Sequence, residues 1–192
     1  GRSQVGVLYL CHDADRLPER GISEWERKLK GLTDRVGMFG LSLYPNQLRE
    51  PLSDSDAIRV LQVPMNILSG RFPESLTMKW EREQKTIYVR SIFAQGLLFR
   101  AGPRSENRAF DSAVTQFHNL CQELSLSPGE LAMRWALSIS GIDGLVVGVS
   151  HVTEVPTLAQ WAAKGPLGDD EILTVEKTMR PFREPFDMRN IA

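Results

Sequence analysis

Apolar runs and amphipathic stretches alternate along the whole chain. The first run, Val5 to Leu10, is nearly all apolar, as a strand covered on both faces would be. A helix is expected from Ser23, where Glu26 three positions on completes a capping-box pattern. Trp25, Leu29 and Leu32 then fall at i, i+4 and i+7, one buried stripe. A second strand is read from Val36 to Leu43, with a helix starting near Asn46. The third runs from Ile58 to Val63 and is stopped by Pro64. A helix around Glu74 to Gln84 leads to a fourth strand, Thr86 to Ser91, rich in β-branched residues. After a loop over Gly96 to Pro103 comes a long helix whose Phe110, Val114, Phe117, Cys121 and Leu124 mark the buried face. Ser127 caps the next helix, Pro128 takes its first position and Glu130 completes the box. A fifth strand spans Gly144 to Gly148, a helix follows to about Ala163, and Asp169 to Glu171 open a last helix.

Strand and helix in strict alternation predict an α/β architecture with parallel strands. The 192 residues show no second composition regime, repeat or linker, so residues 1–192 read as one domain. Gly1 stands where a natural chain has Met, four residues before a buried strand, which points to a trimmed sequence or a fragment. With 23 Lys+Arg against 24 Asp+Glu there is no basic excess to favour nucleic acid or an anionic membrane. Cys11 and Cys121 are too few for a disulfide framework, so a reducing cytoplasm is the expected location. No apolar run reaches membrane-spanning length.

Signatures for phosphate loops, dinucleotide loops and zinc sites are absent, and His12, His118 and His151 lack ligand-like spacing, so no metal is expected. His12 differs from the other two in position. It follows an apolar strand directly, at the end where parallel α/β folds gather their polar groups. An imidazole there can donate to a carbonyl oxygen or pass a proton near neutral pH; equally, it can be satisfied by loop backbone. The other strand ends repeat the pattern with Ser42, Gln62, Ser91 and Ser150. Trp25, Trp80, Trp135 and Trp161 fall in helical segments and read as helix packing, as do Tyr9, Tyr44 and Tyr88 in or beside strands. Asp13 and Asp15 read as turn formers.

Taken in order, the phrases Gly40-Leu-Ser-Leu-Tyr44, Leu61-Gln-Val-Pro-Met-Asn66, Val89-Arg-Ser-Ile-Phe-Ala-Gln-Gly-Leu-Leu98 and Val147-Gly-Val-Ser150 resemble the aldo-keto reductase family. The resemblance covers nearly the whole chain and is to strands four to eight of that family's barrel. It implies a parallel (β/α)8 TIM-type barrel, present here as its last five β/α units. It also implies an oxidoreductase that reduces an aldehyde or ketone with NADP or NAD. His12 matches the active-site histidine that orients and polarises the carbonyl. Ser42 and Gln62 match the residues that hold the nicotinamide carboxamide, although Leu43 replaces an asparagine. Arg90 and Ser91 match the pair beneath the nicotinamide, Gln95 and Gly96 begin the loop over the cofactor, and Gly148 and Ser150 match the turn that meets phosphate.

Two departures accompany the match. The stretch His151 to Leu158 holds no Lys or Arg for a 2′-phosphate, which leaves NAD against NADP open. The aspartate, tyrosine acid and lysine that the family draws from strands ahead of the histidine have no counterpart here. The chain is therefore expected to be incomplete and inactive alone, with a small carbonyl compound as the substrate of the longer form. The alternative is a catalytically dead relative that binds nucleotides or assembles with a partner. Five strands leave two open edges, which invite self-association or an N-terminal segment.

Overall fold

The computed structural model describes residues 8–12, 27, 38–44, 58–100 and 108–183. The strands are β1 (Leu8–Cys11), β2 (Met38–Ser42), β3 (Val60–Pro64), β4 (Thr86–Arg90) and β5 (Gly144–Val146), in sheet order β1-β2-β3-β4-β5. The helices are α1 (Glu74–Arg82), α2 (Arg108–Glu123), α3 (Pro128–Leu137), α4 (Val155–Ala163) and α5 (Asp169–Met179). Short 3-10 turns occupy Ala94–Phe99, Val152–Glu154 and Arg180–Phe182. Arg27 is helical; the rest of the helix expected from Ser23, and all of the one expected near Asn46, lie outside the described residues, as do Asp13, Asp15 and Trp25.

All strand pairs run parallel, and sequence order equals spatial order, as expected for successive β/α units. Leu8 to Cys11 face Met38 to Leu41 one for one, and Gly40 to Ser42 face Val60 to Gln62. The β3–β4 pairing carries on with Thr86 N–H donating to the Arg59 carbonyl at 2.8 Å. Such a sheet of five β/α units is part of a (β/α) barrel.

Contacts divide the chain into two compact units. The first comprises residues 1–64, 73–89 and 141–144. Strands β2 and β3 are buried on both faces, with Leu41, Val60, Leu61 and Val63 essentially inaccessible, while β4 alternates buried Ile87 and Val89 with half-buried neighbours, and α1 adds buried Trp80. Gly40 lets β2 sit between its neighbours, because a Cβ there would stand 2.5 Å from the Val60 carbonyl oxygen and 2.6 Å from Leu10 Cδ2. Tyr88 packs its ring against Gly144, leaving no room for a Cβ. The buried Lys85 ends on the Ile58 carbonyl at 2.7 Å, which offsets the cost of desolvating its ammonium.

The second unit comprises residues 65–72, 90–140 and 145–192. Phe110, Ala113, Val114, Phe117, Leu120 and Cys121 form the buried face of α2. Leu120 joins the expected set, while Leu124 lies beyond the helix end and is half-buried. Burial pushes the Cys121 thiol up to about 11, against a smaller lowering by a backbone hydrogen bond, so it stays protonated at neutral pH. Ser127 caps α3 by accepting from Glu130 N–H at 3.3 Å. The rest of the expected box does not form: the Glu130 carboxylate binds Lys164 at 2.8 Å and lies 3.6 Å from Arg134. At α5 the reciprocal contact does appear, with Glu171 Oε2 accepting from Gly168 N–H at 2.8 Å.

Glu176 on α5 is the node of this unit. Its carboxylate accepts from Arg71 Nε, Trp135 Nε1 and Arg183 Nη2, each at 3.0 Å, and Arg183 Nη1 binds its other oxygen. Arg183 also lies over the Trp135 ring at 5.8 Å. Burial alone would raise the Glu176 pKa. Hydrogen bonds from Arg183 and Trp135, with the charges of Arg183 and Arg71, outweigh it and lower the carboxyl from 4.5 to about 2.

Candidate active site

Parallel register sets the residue after β1, the end of β2 and the middle of β3 level. His12 follows Cys11, which is paired with Leu41; Ser42 follows Leu41 and is paired with Gln62. His12 is exposed, Ser42 is buried and Gln62 half-buried. The Ser42 hydroxyl lies 3.4 Å from Gln62 Oε1, a long hydrogen bond that orients the amide. Three polar side chains thus sit at one height on three adjoining strands.

Past β3 the chain turns at Asn66, whose buried Oδ1 accepts from Leu68 N–H and Ser69 N–H, both at 3.0 Å. This amide at the rim closes a turn.

Arg90 and Ser91, at the end of β4, begin a segment of unusual backbone. Ser91, Ala94 and Gln95 have φ of 63°, 47° and 55°, and Gly96 has 85°. Only glycine enters the left-handed region without cost, so three non-glycine residues there store strain. The segment expected to be a loop from Gly96 is instead a kinked 3-10 turn over Ala94–Phe99. Arg90 Nη1 donates to Ser91 Oγ at 3.3 Å.

After β5, which is shorter than the expected Gly144–Gly148, residues 147–151 run as open loop into the turn at Val152–Glu154 and then α4. Within the second unit these two segments enclose a cavity of about 840 Å³. Arg90, Ser91, Gln95, Gly96, Gly148 and Ser150 all line it. The sequence had marked these six one by one, and the fold puts them on one surface.

Among the other residues that line the cavity, four stand out that no sequence signal placed there. Phe93, Phe99 and Trp161 form an aromatic cluster, with centroids 5.3 Å apart for the first two and 6.4 Å for Phe93 and Trp161. Trp80 and Trp135 are buried in helix packing as expected, but half-buried Trp161 both packs on Gly129 and faces the cavity. Glu154 is the fourth, with Oε2 accepting from Ser150 N–H at 2.9 Å. Among the described residues, Arg90 and Glu154 are the charged ones of the lining. A cavity of this size with aromatic walls and few convergent polar groups suits a small organic ligand or part of a cofactor.

His118 Nε2 lies 3.1 Å from the Arg100 carbonyl and His151 is exposed. Among the described residues, no three His, Cys, Asp or Glu side chains gather where they could hold a metal ion. Among the same residues, no helix is long and apolar enough to cross a membrane.

Parallel β/α units with polar groups at the carboxyl ends of their strands define a protein of the (β/α)-barrel class. The chain belongs to the aldo/keto reductase family, whose family model matches residues 1–180. Among solved structures it is similar to aldo-keto reductase AKR11C1 from Bacillus halodurans in its apo form, at 21% identity and a TM-score of 0.76. That match covers 94% of this chain and 64% of the other. It is also similar to the glycerol dehydrogenase AKR11B4 from Gluconobacter oxydans, at 18% identity and a TM-score of 0.66, over 94% of this chain and 61% of that one. The chain thus spans less than two thirds of the length of these structures. No match is found among curated proteins.

Proposed function

We propose that the chain carries the nucleotide-holding and carbonyl-orienting part of a nicotinamide-dependent reductase of aldehydes or ketones. What supports this reading is the gathering of Arg90, Ser91, Gln95, Gly96, Gly148 and Ser150 on one cavity. Arg90 offers a guanidinium that can pair with phosphate or stack on a ring. Backbone N–H groups in the loop after β5 suit phosphate oxygens. The Ser42–Gln62 pair offers an oriented amide and hydroxyl to a carboxamide, whose donor and acceptor both need partners. His12, exposed at the same height, can donate to a substrate carbonyl oxygen. When bound, the nicotinamide would supply the hydride. NAD and NADP are both compatible with this lining.

The experiment is calorimetric titration of the chain with NADH and NADPH, alongside Arg90→Ala and Gln62→Ala. Each substitution is expected to raise Kd at least tenfold. With no tyrosine acid and lysine partner of the kind the family resemblance implies, the 192-residue chain is expected to bind without turning over a carbonyl substrate. Unchanged affinity in both variants would overturn the proposed cofactor contacts.

A further inference from the structure

Ser150 lines the cavity, and its backbone N–H is already engaged. Glu154 Oε2 accepts from it at 2.9 Å, while Glu154 N–H donates to the His151 carbonyl at 3.0 Å. Residues 150–154 therefore close on themselves, holding a carboxylate at the mouth of the loop. Glu154 is also the N-cap of α4, whose first turn has no other acidic residue, so its charge lies at the positive pole of that helix. Among the described residues, no basic side chain pairs with it at 4.0 Å or less. Among the described residues, the only positive charge in the cavity lining is that of Arg90.

We infer that Glu154 is an internal anion that competes with phosphate for the Ser150 amide and keeps the affinity of the cavity for phosphate-bearing ligands low. The inference rests on the proposed nucleotide site and adds a selectivity to it. A phosphate oxygen needs the donor that Glu154 holds, and two anions at one amide repel each other in a partly enclosed cavity. A ligand must either displace the carboxylate or bind with its phosphates elsewhere. Uncharged ligands meet no such barrier.

A purely structural role for Glu154, closing the turn ahead of α4, makes a different prediction. Glu154→Gln keeps an oxygen that can accept from Ser150 N–H and removes only the charge. If Glu154 merely caps, the variant binds anions as the parent does. The test measures dissociation constants of the parent, Glu154→Gln and Glu154→Ala for inorganic pyrophosphate, NADH and adenosine, with thermal melting to compare folding. Glu154→Gln is expected to bind pyrophosphate and NADH at least tenfold tighter than the parent, with adenosine unchanged. Pyrophosphate tightening without any NADH binding would uphold the role of Glu154 and overturn the nucleotide reading. Equal NADH and pyrophosphate affinities in all three proteins would overturn the role of Glu154 and leave that reading standing. A gain for adenosine as large as that for pyrophosphate would also overturn it, since only space, and not charge, would then have been released.

Discussion

The indole of Trp161 lies so close over Gly129 that a Cβ at position 129 would stand 2.3 Å from it. Gly129 is thus the floor on which a cavity-lining aromatic rests. Gly129→Ala must push the indole aside, and overpacking of this kind costs about 1–3 kcal/mol. The variant is expected to melt lower and to show altered tryptophan emission, an effect absent when the same substitution is made in a Trp161→Leu background. Equal losses in both backgrounds would exclude Trp161 as the cause.

The lowered pKa of Glu176 makes stability depend on pH in one direction. A carboxyl that titrates at about 2 when folded, against an ordinary 4.5, contributes fully above about pH 4.5. That contribution is lost as pH falls from there through about 2. Urea midpoints of the parent and Glu176→Gln should differ most at pH 6 and converge toward pH 2. A gap of constant size across this range would show that charge has no part in the node.

Gly40 is predicted to be irreplaceable in the sheet. A methyl group there meets a carbonyl oxygen at 2.5 Å, so β2 must move away from β3 or twist. Gly40→Ala is expected to cost about 1–3 kcal/mol in urea unfolding, as overpacking in a well-filled core does. An unchanged midpoint would mean that the register described for β1, β2 and β3 is wrong.

Gln95 and Gly96 allow a cleaner measurement of backbone strain. Both have positive φ, and nothing lies within 4 Å of a Cβ at position 96. Gly96→Ala should therefore cost about 1 kcal/mol from conformation alone. Gln95→Gly should gain about 0.5–1 kcal/mol, measured by the same unfolding curves. If both variants match the parent, the kinked turn over Ala94–Phe99 does not persist in solution.

Polar positions near the strand ends were legible in the sequence because each stands out within an apolar run, although burial continues past them at Leu43, Val63 and Ile92. Ser42, Gln62 and Ser91 announce themselves this way, and the parallel sheet follows from the alternation of runs and stripes. The turn at Ala94–Phe99 gave no sign, since Ala94 and Gln95 are not residues that advertise left-handed backbone. Trp161 was read as packing because an aromatic on a helix buries itself far more often than it lines a cavity, and here it does both. Glu154 passed unnoticed because its partner is a backbone amide, which has no letter in the sequence. The Glu176 node was hidden by distance along the chain. Its acid, its indole and one of its arginines lie 41 and 105 residues apart, and no periodicity links them.

That separation has a consequence for the order in which the protein is made. Arg71 leaves the ribosome 105 residues ahead of Glu176, and Trp135 leaves 41 ahead. The strands of the first unit that precede α2 can pair while synthesis continues, but the loop after β3 must wait for α5 to supply its carboxylate. The emergence of α5 therefore acts as the fastening step, and a chain halted before position 176 has an arginine and an indole with nothing to close on.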